Sequence, residues 1–490
     1  MSFIAKLNTR NIVLLISITF ILKLGFAVYF SQLGNCSAPD RSIGYLAKNA
    51  GDTIGYIGAI DNFIEEGNYY FWNGVRKVDA GRMPHYGAPY YVFRQAFSKS
   101  VASDIYVIIQ LLLDSIANVF FAGLCFYILK RQFSFWLGYL FYFLNFNLFL
   151  LTLSLVPESI SLSFMVLFLY TYHWYWVNQK LKYAVIASLF LAIVTVLKPY
   201  LVILYIPFFL SLLIKRENIP ALNFKHIFRQ GLIAGLPLII LLLPWVIRNE
   251  VMLGKFIPTQ ESMTAGYNYT ESDFAFRRFV GAWGGDIIFW TPEAAGCYYY
   301  AKPPVACSFK IPDYALANGY TISDMEDVRQ DYLQLQQQYS LELDQTVVNK
   351  FDHLTNIYKS EKPFMYYIGS RFLSIKNMFW HTNNYNVPIN PSFSCYHSYQ
   401  LLFKITQLAI YVLAMTFGVF GLIKLGYERK ISVVFVCIPI FIICFFAIFK
   451  LTEARYFNHA YPLVLVGLVG FITWVVEKFR FRLKSNDIYK

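Results

Sequence analysis

The sequence predicts an all-α polytopic membrane protein, and three observations support this fold class. Of its 490 residues, 57% are hydrophobic and only 14% are charged, whereas soluble globular proteins carry roughly a quarter charged residues. Apolar runs of about 20 residues recur, each long enough as a helix to cross the hydrocarbon core of a bilayer. Aromatic residues reach 19%, and many Tyr and Trp fall near predicted membrane edges, where interfacial belts form.

The apolar runs predict about ten transmembrane helices. Their positions are 11–31, 105–129, 134–153, 158–177, 183–197, 200–214, 229–247, 401–423, 431–449 and 459–476. The fifth and sixth are short and meet at Lys198-Pro199, so one long kinked element is the alternative for this pair. The first follows Lys6 and Arg10, and we interpret it as an uncleaved anchor because no small-x-small cleavage site follows it.

Basic residues in the short connections predict the orientation of the helices. Lys130-Arg131, Lys180, Lys215-Arg216 and Arg429-Lys430 all fall on one side, which the positive-inside rule makes cytoplasmic. Both termini are then cytoplasmic, and the two large loops 32–104 and 248–400 lie outside. This placement accounts for the net charge of +13 without any nucleic-acid partner.

Three units follow from this topology. Residues 1–247 form an N-terminal transmembrane module that includes loop 32–104, residues 248–400 form an extracytoplasmic loop domain, and residues 401–490 contain the last helices and a cytoplasmic tail. Within the loops the spacing of apolar residues predicts an amphipathic helix over 53–66 that ends at Gly67. A capping box, Ser323 to Glu326, predicts one polar helix to about Lys359. A second amphipathic segment, 364–380, returns to the membrane, so the soluble part is mixed and mainly helical.

Charged residues gather at the predicted outer ends of the helices. They are Asp52 beyond the first span, Glu158 at the start of the fourth, Lys198 at the end of the fifth, Arg248 after the seventh and Arg455 before the last. Charges at this depth are costly unless they are paired or hydrated, so they are candidates for function. Lysine and arginine suit a lipid phosphate, and a carboxylate suits removal of a proton from a hydroxyl group.

Each of these residues also has a structural alternative. Asp52 is well placed to cap a helix that starts at Thr53, and Glu158 to cap the fourth span. Lys198 and Arg248 are of the type that anchors a helix at the interface. Four cysteines lie on the predicted outer side, where disulfides persist, and Cys297 with Cys307 is the closest pair and the predicted bridge.

Several motifs, in their order along the chain, resemble the GT-C glycosyltransferases. The closest branch is that of the bacterial relatives of protein O-mannosyltransferases and lipid A aminoarabinose transferase. The stretches that carry the resemblance are Gly51-Asp52-Thr53-Ile54-Gly55-Tyr56, Arg82-Met83-Pro84-His85-Tyr86, Val156-Pro157-Glu158, Leu197-Lys198-Pro199, Pro244-Trp245-Val246-Ile247-Arg248-Asn249, Glu361-Lys362-Pro363 and Glu453-Ala454-Arg455-Tyr456.

The resemblance implies an inverting transfer of a sugar from a polyprenyl-phosphate donor. It implies Asp52 as general base with Glu158 as a second catalytic carboxylate. Lys198, Arg248 and Arg455 would bind the donor phosphate. The substrate-binding candidates are Tyr56, Arg82, His85 and Tyr456. The acceptor would be a glycan, a lipid or a protein, and the location a bacterial inner membrane with the site facing outwards.

This chain departs from the family pattern in its acidic residues. Thr53 follows Asp52 where the family often has a second acidic residue, and the second outer loop has Glu158 without an Asp-x-Asp-like pair. Metal dependence is therefore open. No cofactor is required by the sequence, and Asp52 and Glu158 are the candidate ligands if a divalent cation, Mg²⁺ or Mn²⁺, takes part.

Other functions compete with this hypothesis. A lipid-linked glycan transporter or flippase would carry polar residues through the middle of several spans and inverted repeats. A polysaccharide polymerase or ligase of a different fold also has a large outer loop, but it does not require the acidic residue of the first loop. A non-enzymatic scaffold leaves the one-sided set of charges unexplained.

Overall fold

The computed structural model describes residues 9–32, 42–49, 52–72, 77–213, 224–260, 270–284, 311–380, 398–449 and 454–487. This part of the chain is predominantly helical, as predicted. Its helices are α1 (Thr9–Gln32), α2 (Ala59–Glu66), α3 (Ala88–Arg94), α4 (Lys99–Leu129), α5 (Gln132–Phe143), α6 (Phe146–Leu150), α7 (Glu158–Asn178), α8 (Leu181–Leu197), α9 (Tyr205–Leu213), α10 (Phe224–Leu253), α11 (Glu271–Ala282), α12 (Ile322–Gln337), α13 (Leu341–Glu361), α14 (Ser370–Trp380), α15 (Ser398–Leu413), α16 (Val419–Tyr427), α17 (Val433–Phe449) and α18 (Tyr461–Asp487). The sheet content is small: β1 (Phe71–Trp72) pairs antiparallel with β2 (Lys77–Val78).

Within the described residues, five helical stretches are long and apolar enough to cross a membrane, by length and composition. They are Thr9–Ser31, Lys99–Leu129, Phe224–Leu253, Leu401–Tyr427 and Tyr461–Phe479. Shorter apolar helices, α8, α9 with its leading 3₁₀ turn, and α17, lie between them. These helices support a multi-pass membrane protein. The central helix α7 is buried along most of its length, as expected for a bundle core.

The predicted third span, 134–153, is wrong as a single helix. Helix α5 ends at Phe143, and the chain then forms the short helix α6 and a 3₁₀ turn, Leu151–Leu153. The physical reason is Asn145, whose side chain accepts a hydrogen bond from the Leu148 amide at 3.3 Å and so caps a new helix. The sixth predicted span also begins irregularly, as the 3₁₀ turn Pro199–Leu204.

Tight turns place the basic connections at one end of the bundle. Lys130, with φ 58°, reverses the chain between α4 and α5, and Gln179, with φ 53°, reverses it between α7 and α8. Arg131 forms an ion pair of 2.7 Å with Glu477 near the end of α18. The opposite ends of these helices therefore lie together, and they carry the residues at positions 158, 198 and 459.

The first long loop folds onto that opposite end. Its helix is confirmed, although residues Ile54–Gly58 form a π-helical turn before α2, and it ends at Gly67 with φ 75°. Asp61 of α2 accepts hydrogen bonds from Tyr90 at 2.9 Å and from Arg94 at 3.1 Å, and it pairs with Lys99 at 2.7 Å. These contacts join α2 to α3 and to the start of α4.

The second long loop contains a separate helical core formed by α11, α12 and α13. Phe276, Tyr332 and Phe351 pack together in it. The predicted single helix over 323–359 is wrong, because a break before Leu341 separates α12 from α13. The predicted capping box is also displaced: Thr321 caps α12, with the Asp324 carboxylate accepting from the Thr321 amide at 2.7 Å. Ser323 and Glu326 therefore lie inside the helix. The segment 364–380 is helical as predicted.

Candidate functional site

An ion pair joins two of the predicted site residues. Glu158 is the first residue of α7, and Lys198 ends α8 with φ −137° because the following Pro199 disfavours helical backbone before it. Lys198 Nζ lies 2.6 Å from Glu158 Oε1, and the two side chains are 8% and 3% exposed. The alternative of a lysine that only anchors α8 at an interface does not describe this buried contact.

A histidine that the sequence analysis did not select lies beside this pair. His459 ends the 3₁₀ turn Ala454–His459 before α18, and it is fully buried. Its Nε2 lies 2.8 Å from Ser161 Oγ, and its Nδ1 lies 3.0 Å from the Tyr200 hydroxyl. Ser161 donates to the Glu158 carbonyl at 3.0 Å. This network thus connects the start of α7, the turn after Lys198 and the loop before α18.

The network determines the protonation state of His459. The Ser161 hydroxyl donates its proton to the Glu158 carbonyl, so towards His459 it can only accept. Nε2 therefore carries the imidazole proton, and Nδ1 accepts from the Tyr200 hydroxyl. Burial and the neighbouring Lys198 ammonium lower the pKa of His459 from 6.5 to about 3, against the opposite effect of Glu158. His459 is therefore a neutral linker. The one signal in the sequence was its position four residues after Arg455, just beyond the motif Glu453-Ala454-Arg455-Tyr456.

Tyr456 lies in the same turn as His459. Its ring stacks on Phe446 of α17, with centroids 4.6 Å apart, and meets the Tyr200 ring edge-on at 5.5 Å. The backbone of Arg455 belongs to this turn, so the loop before α18 contributes to the same region as Lys198. Glu453 and the predicted Cys297–Cys307 bridge lie outside the described residues.

Aromatic residues connect the first loop to the ion pair. The Arg82 guanidinium lies over the Tyr56 ring at 4.7 Å, and Tyr56 meets Tyr86 edge-on at 5.5 Å. Burial, with smaller effects of Tyr106 and Glu158, raises the pKa of Tyr86 well above its ordinary value. Tyr56 and Tyr86 pack in one hydrophobic cluster with Ile160 and Leu197, which neighbour Glu158 and Lys198 in the sequence. Tyr56, Arg82 and Glu158 thus belong to one continuous region.

Asp52 lies at the rim of this region. It occupies the turn before the π-helical residues and is half-buried, and its carbonyl accepts from the Gly55 amide at 3.0 Å. Thr53 is the residue at the N-cap position of the π-helical turn, and it makes no side-chain capping bond. Asp52 therefore lies directly before the helical turn that contains Tyr56.

His85 and Arg248 hold the first loop against α10. His85 Nε2 lies 2.9 Å from the Leu241 carbonyl, and burial lowers the pKa of this histidine although the carbonyl opposes the shift. Arg248 donates to the carbonyls of Asp79 and Tyr69, at 2.7 and 3.1 Å, and to Asn249 Oδ1 at 2.9 Å. Three of the five guanidinium N–H groups are thereby used, and this structural role was not expected.

The donor set of the region does not favour a metal ion. Within the described ranges no group of three or more His, Cys, Asp or Glu side chains gathers that could hold one. Glu158, one of the two candidate ligands, already has an ammonium group 2.6 Å from its Oε1, and the positive charge of Lys198 opposes the binding of a cation at the same carboxylate. We therefore derive no step through a metal.

No family model matches the sequence, and no curated protein matches it.

Proposed function

We propose that the protein is an integral membrane glycosyltransferase that transfers a sugar from a polyprenyl-phosphate donor to an acceptor at the outer face of a bacterial inner membrane. The observation that carries the proposal is the buried Lys198–Glu158 pair, which lies beside the hydrophobic cluster that Ile160 and Leu197 form with Tyr56 and Tyr86 of the first loop. The resemblance to GT-C enzymes supports it. About ten spans and cytoplasmic termini belong to the proposal.

Asp52 is the general base of the proposed reaction. Its carboxylate takes the proton of the acceptor hydroxyl while that oxygen attacks the anomeric carbon. The bond between this carbon and the phosphate oxygen breaks on the opposite face, so the configuration inverts. The lipid phosphate leaves as an anion. It needs no strong acid, because nearby cations offset its charge.

Lys198, Arg248 and Arg455 are the proposed phosphate ligands. Lys198 has three donors on its ammonium group, so it can contact phosphate while Glu158 orients it from the other side. Within the described residues, Arg248 uses two N–H groups on carbonyls of the first loop and one on Asn249, and its guanidinium has two more that could contact phosphate. The phosphate would therefore bind where the loop, α8 and α10 meet, and its binding would couple these elements.

Four further residues are proposed to contact the substrates. Tyr56 and Tyr456 offer rings, and Arg82 offers a cation at the loop. His85 Nε2 faces a carbonyl, which can only accept, so Nε2 carries the proton and the neutral Nδ1 is an acceptor. Within the described residues this Nδ1 is buried and has no hydrogen-bond partner. It suits a hydroxyl of a sugar.

The test is sugar transfer by the purified protein in proteoliposomes, with labelled polyprenyl-phosphate sugars as donors. Asp52→Asn is expected to lower the rate about 10²- to 10⁴-fold, the usual contribution of a general base. Glu65→Gln is the matched control, since it makes the same carboxylate-to-amide change on the exposed face of α2. Full activity of Asp52→Asn would exclude the proposed role.

A lipid-linked glycan transporter is the second candidate, and one observation favours it. Lys23 and Asp114 form a charged pair between two membrane-spanning helices, as polar groups along a translocation path would. Movement of a fluorescent lipid-linked sugar across the proteoliposome bilayer, without transfer to an acceptor, would support the transporter. Transfer without such movement would support the enzyme.

A further inference from the structure

Helix α1 contacts the rest of the protein along one narrow stripe. Only 17% of the residues in its apolar stretch are buried, against 67% for α4. The buried positions recur every three or four residues and include Thr19, Lys23, Ala27 and Phe30. Lipid tails are as apolar as the side chains, so hydrophobic burial holds such a helix only weakly to its neighbours. The polar residues of the stripe, Thr19 and Lys23, therefore determine how α1 is held against its neighbours.

Lys23 and Thr19 each form a polar contact with a neighbouring helix. Lys23 Nζ lies 2.5 Å from Asp114 Oδ2 and 3.4 Å from the Asp114 carbonyl, and the side chains are 2% and 4% exposed. The Lys23 ammonium also lies 5.3 Å from the centre of the Tyr142 ring of α5. One turn earlier, Thr19 Oγ1 lies 2.8 Å from the Tyr139 hydroxyl. A lysine and an aspartate buried at this depth require each other.

This pairing allows one axial position of α1. A slip by one helical turn would move Lys23 by about 5.4 Å along α4. The α4 residues one turn from Asp114 are Gln110 and Asn118, which are neutral. Gln110 is also committed, since its amide donates to the Thr152 and Ser154 carbonyls. A slipped helix would bury two unpaired charges, so the pair specifies the register.

Contacts of segment 42–49 connect the C-terminal end of α1 to the candidate site. Lys48 Nζ donates to the Ser31 carbonyl of α1 at 3.0 Å. The Lys48 backbone donates to the Leu153 carbonyl at 2.8 Å and accepts from the Leu155 amide at 3.2 Å, three residues before Glu158. Asp104 of α4 accepts from the amides of residues 45, 46 and 47. Segment 42–49 thus bridges α1, α4 and the chain leading into α7.

We propose that the Lys23–Asp114 pair sets the register of α1 on α4 and thereby positions segment 42–49 against the chain that precedes Glu158. The two residues are positioning residues. The proposal does not require the glycosyltransferase activity, because its consequence is a defined arrangement of the backbone.

The experiment is hydrogen exchange on the full-length protein in lipid nanodiscs, followed in peptides that cover 42–49 and 153–155. Lys23→Met is expected to accelerate exchange there about tenfold or more, since the amides open once their support shifts. The exchanged pair, Lys23→Asp with Asp114→Lys, is expected to restore slow exchange. Ile21→Met, on the lipid-facing side of α1, is the control and should change nothing. Peptides of α11–α13 should stay unchanged throughout.

A neutral pair, Lys23→Met with Asp114→Leu, keeps the test decisive if the single variant does not fold. This double variant has no unpaired buried charge, so we expect it to fold. It also lacks the contact that sets the register of α1, so we expect fast exchange over 42–49. Wild-type protection in this double variant would overturn the proposal. So would fast exchange in the exchanged pair.

Discussion

Two buried lysine–carboxylate pairs have similar contacts and different surroundings. Lys23 lies 2.5 Å from Asp114, and Lys198 lies 2.6 Å from Glu158, with all four side chains largely excluded from solvent. The first pair joins the middle of two long helices beside the ring of Tyr142. The second joins the start of one helix to the end of another, beside the loop before α18. The roles that we propose for the two pairs follow their position relative to the helix ends. The first pair packs two helices together, whereas the second lies beside irregular backbone, which can adapt to a ligand.

Removing the carboxylate of one pair at a time should give the largest loss of stability. Asp114→Leu leaves Lys23 buried without a counter-charge, and such losses cost about 3–5 kcal/mol of stability. Glu158→Leu should cost less, because Lys198 ends its helix and can extend towards water. Thermal unfolding in detergent, followed by Trp fluorescence, measures both. Equal losses would contradict the distinction between the two pairs.

Replacing both members of each pair should separate stability from activity. Lys198→Met with Glu158→Leu is expected to fold and to lose at least about 100-fold in sugar transfer, which is roughly 2.7 kcal/mol. Lys23→Met with Asp114→Leu should also fold and should lose less, since its effect on the site is indirect. Initial rates in proteoliposomes at saturating and at limiting donor measure this. A transfer rate close to wild type in the first double variant would remove Lys198 and Glu158 from the mechanism.

The histidine beside the second pair predicts a dependence of stability on pH. The folded pKa of His459 is lowered to about 3, whereas the unfolded value is about 6.5. Below pH 6.5 the unfolded chain binds the proton and the folded protein does not, so stability falls as the pH decreases. Between pH 7 and 5.5 the loss is about 1 kcal/mol.

His459→Gln isolates this contribution to stability. Burial raises the pKa of Asp273 in α11 from 3.8 to about 6, although its bonds to Tyr332 and Thr270 oppose this, so that group stabilises the fold as the pH falls. The wild type and His459→Gln both contain Asp273. The difference between their unfolding midpoints across pH therefore reports on His459 alone. An identical pH dependence in the two would show that His459 is not held neutral.

Removal of an exposed ion pair should give the smallest loss of stability, and it provides a reference for the buried pairs. Arg278 of α11 binds both carboxylate oxygens of Asp352 of α13 on the protein surface, with the side chains 49% and 40% exposed. Arg278→Ala should cost less than about 1 kcal/mol, because solvent screens the pair. The same unfolding assay at low and high salt measures it. A loss as large as that of Asp114→Leu would show that burial does not distinguish these pairs.

Local patterns in the sequence were sufficient for most of the helices. The predicted fourth span, 158–177, corresponds to α7 at Glu158–Asn178, and the predicted end at Lys198-Pro199 is where α8 stops. Apolar length and the restriction before proline are properties of the chain itself. The prediction failed at 134–153, because the cap that Asn145 provides competes locally with a continuous apolar run.

The sequence by itself determined the membrane-protein class and the positions of most helices, with the exceptions of 134–153 and 323–359. Tertiary structure alone decided which polar groups pair. His459 and Ser161 are separated by 298 residues, Lys23 and Asp114 by 91, and Arg248 and the Asp79 carbonyl by 169. The physical reason is that pairing depends on the rotation and register of packed helices. These are set by the whole interface, and no local pattern contains them.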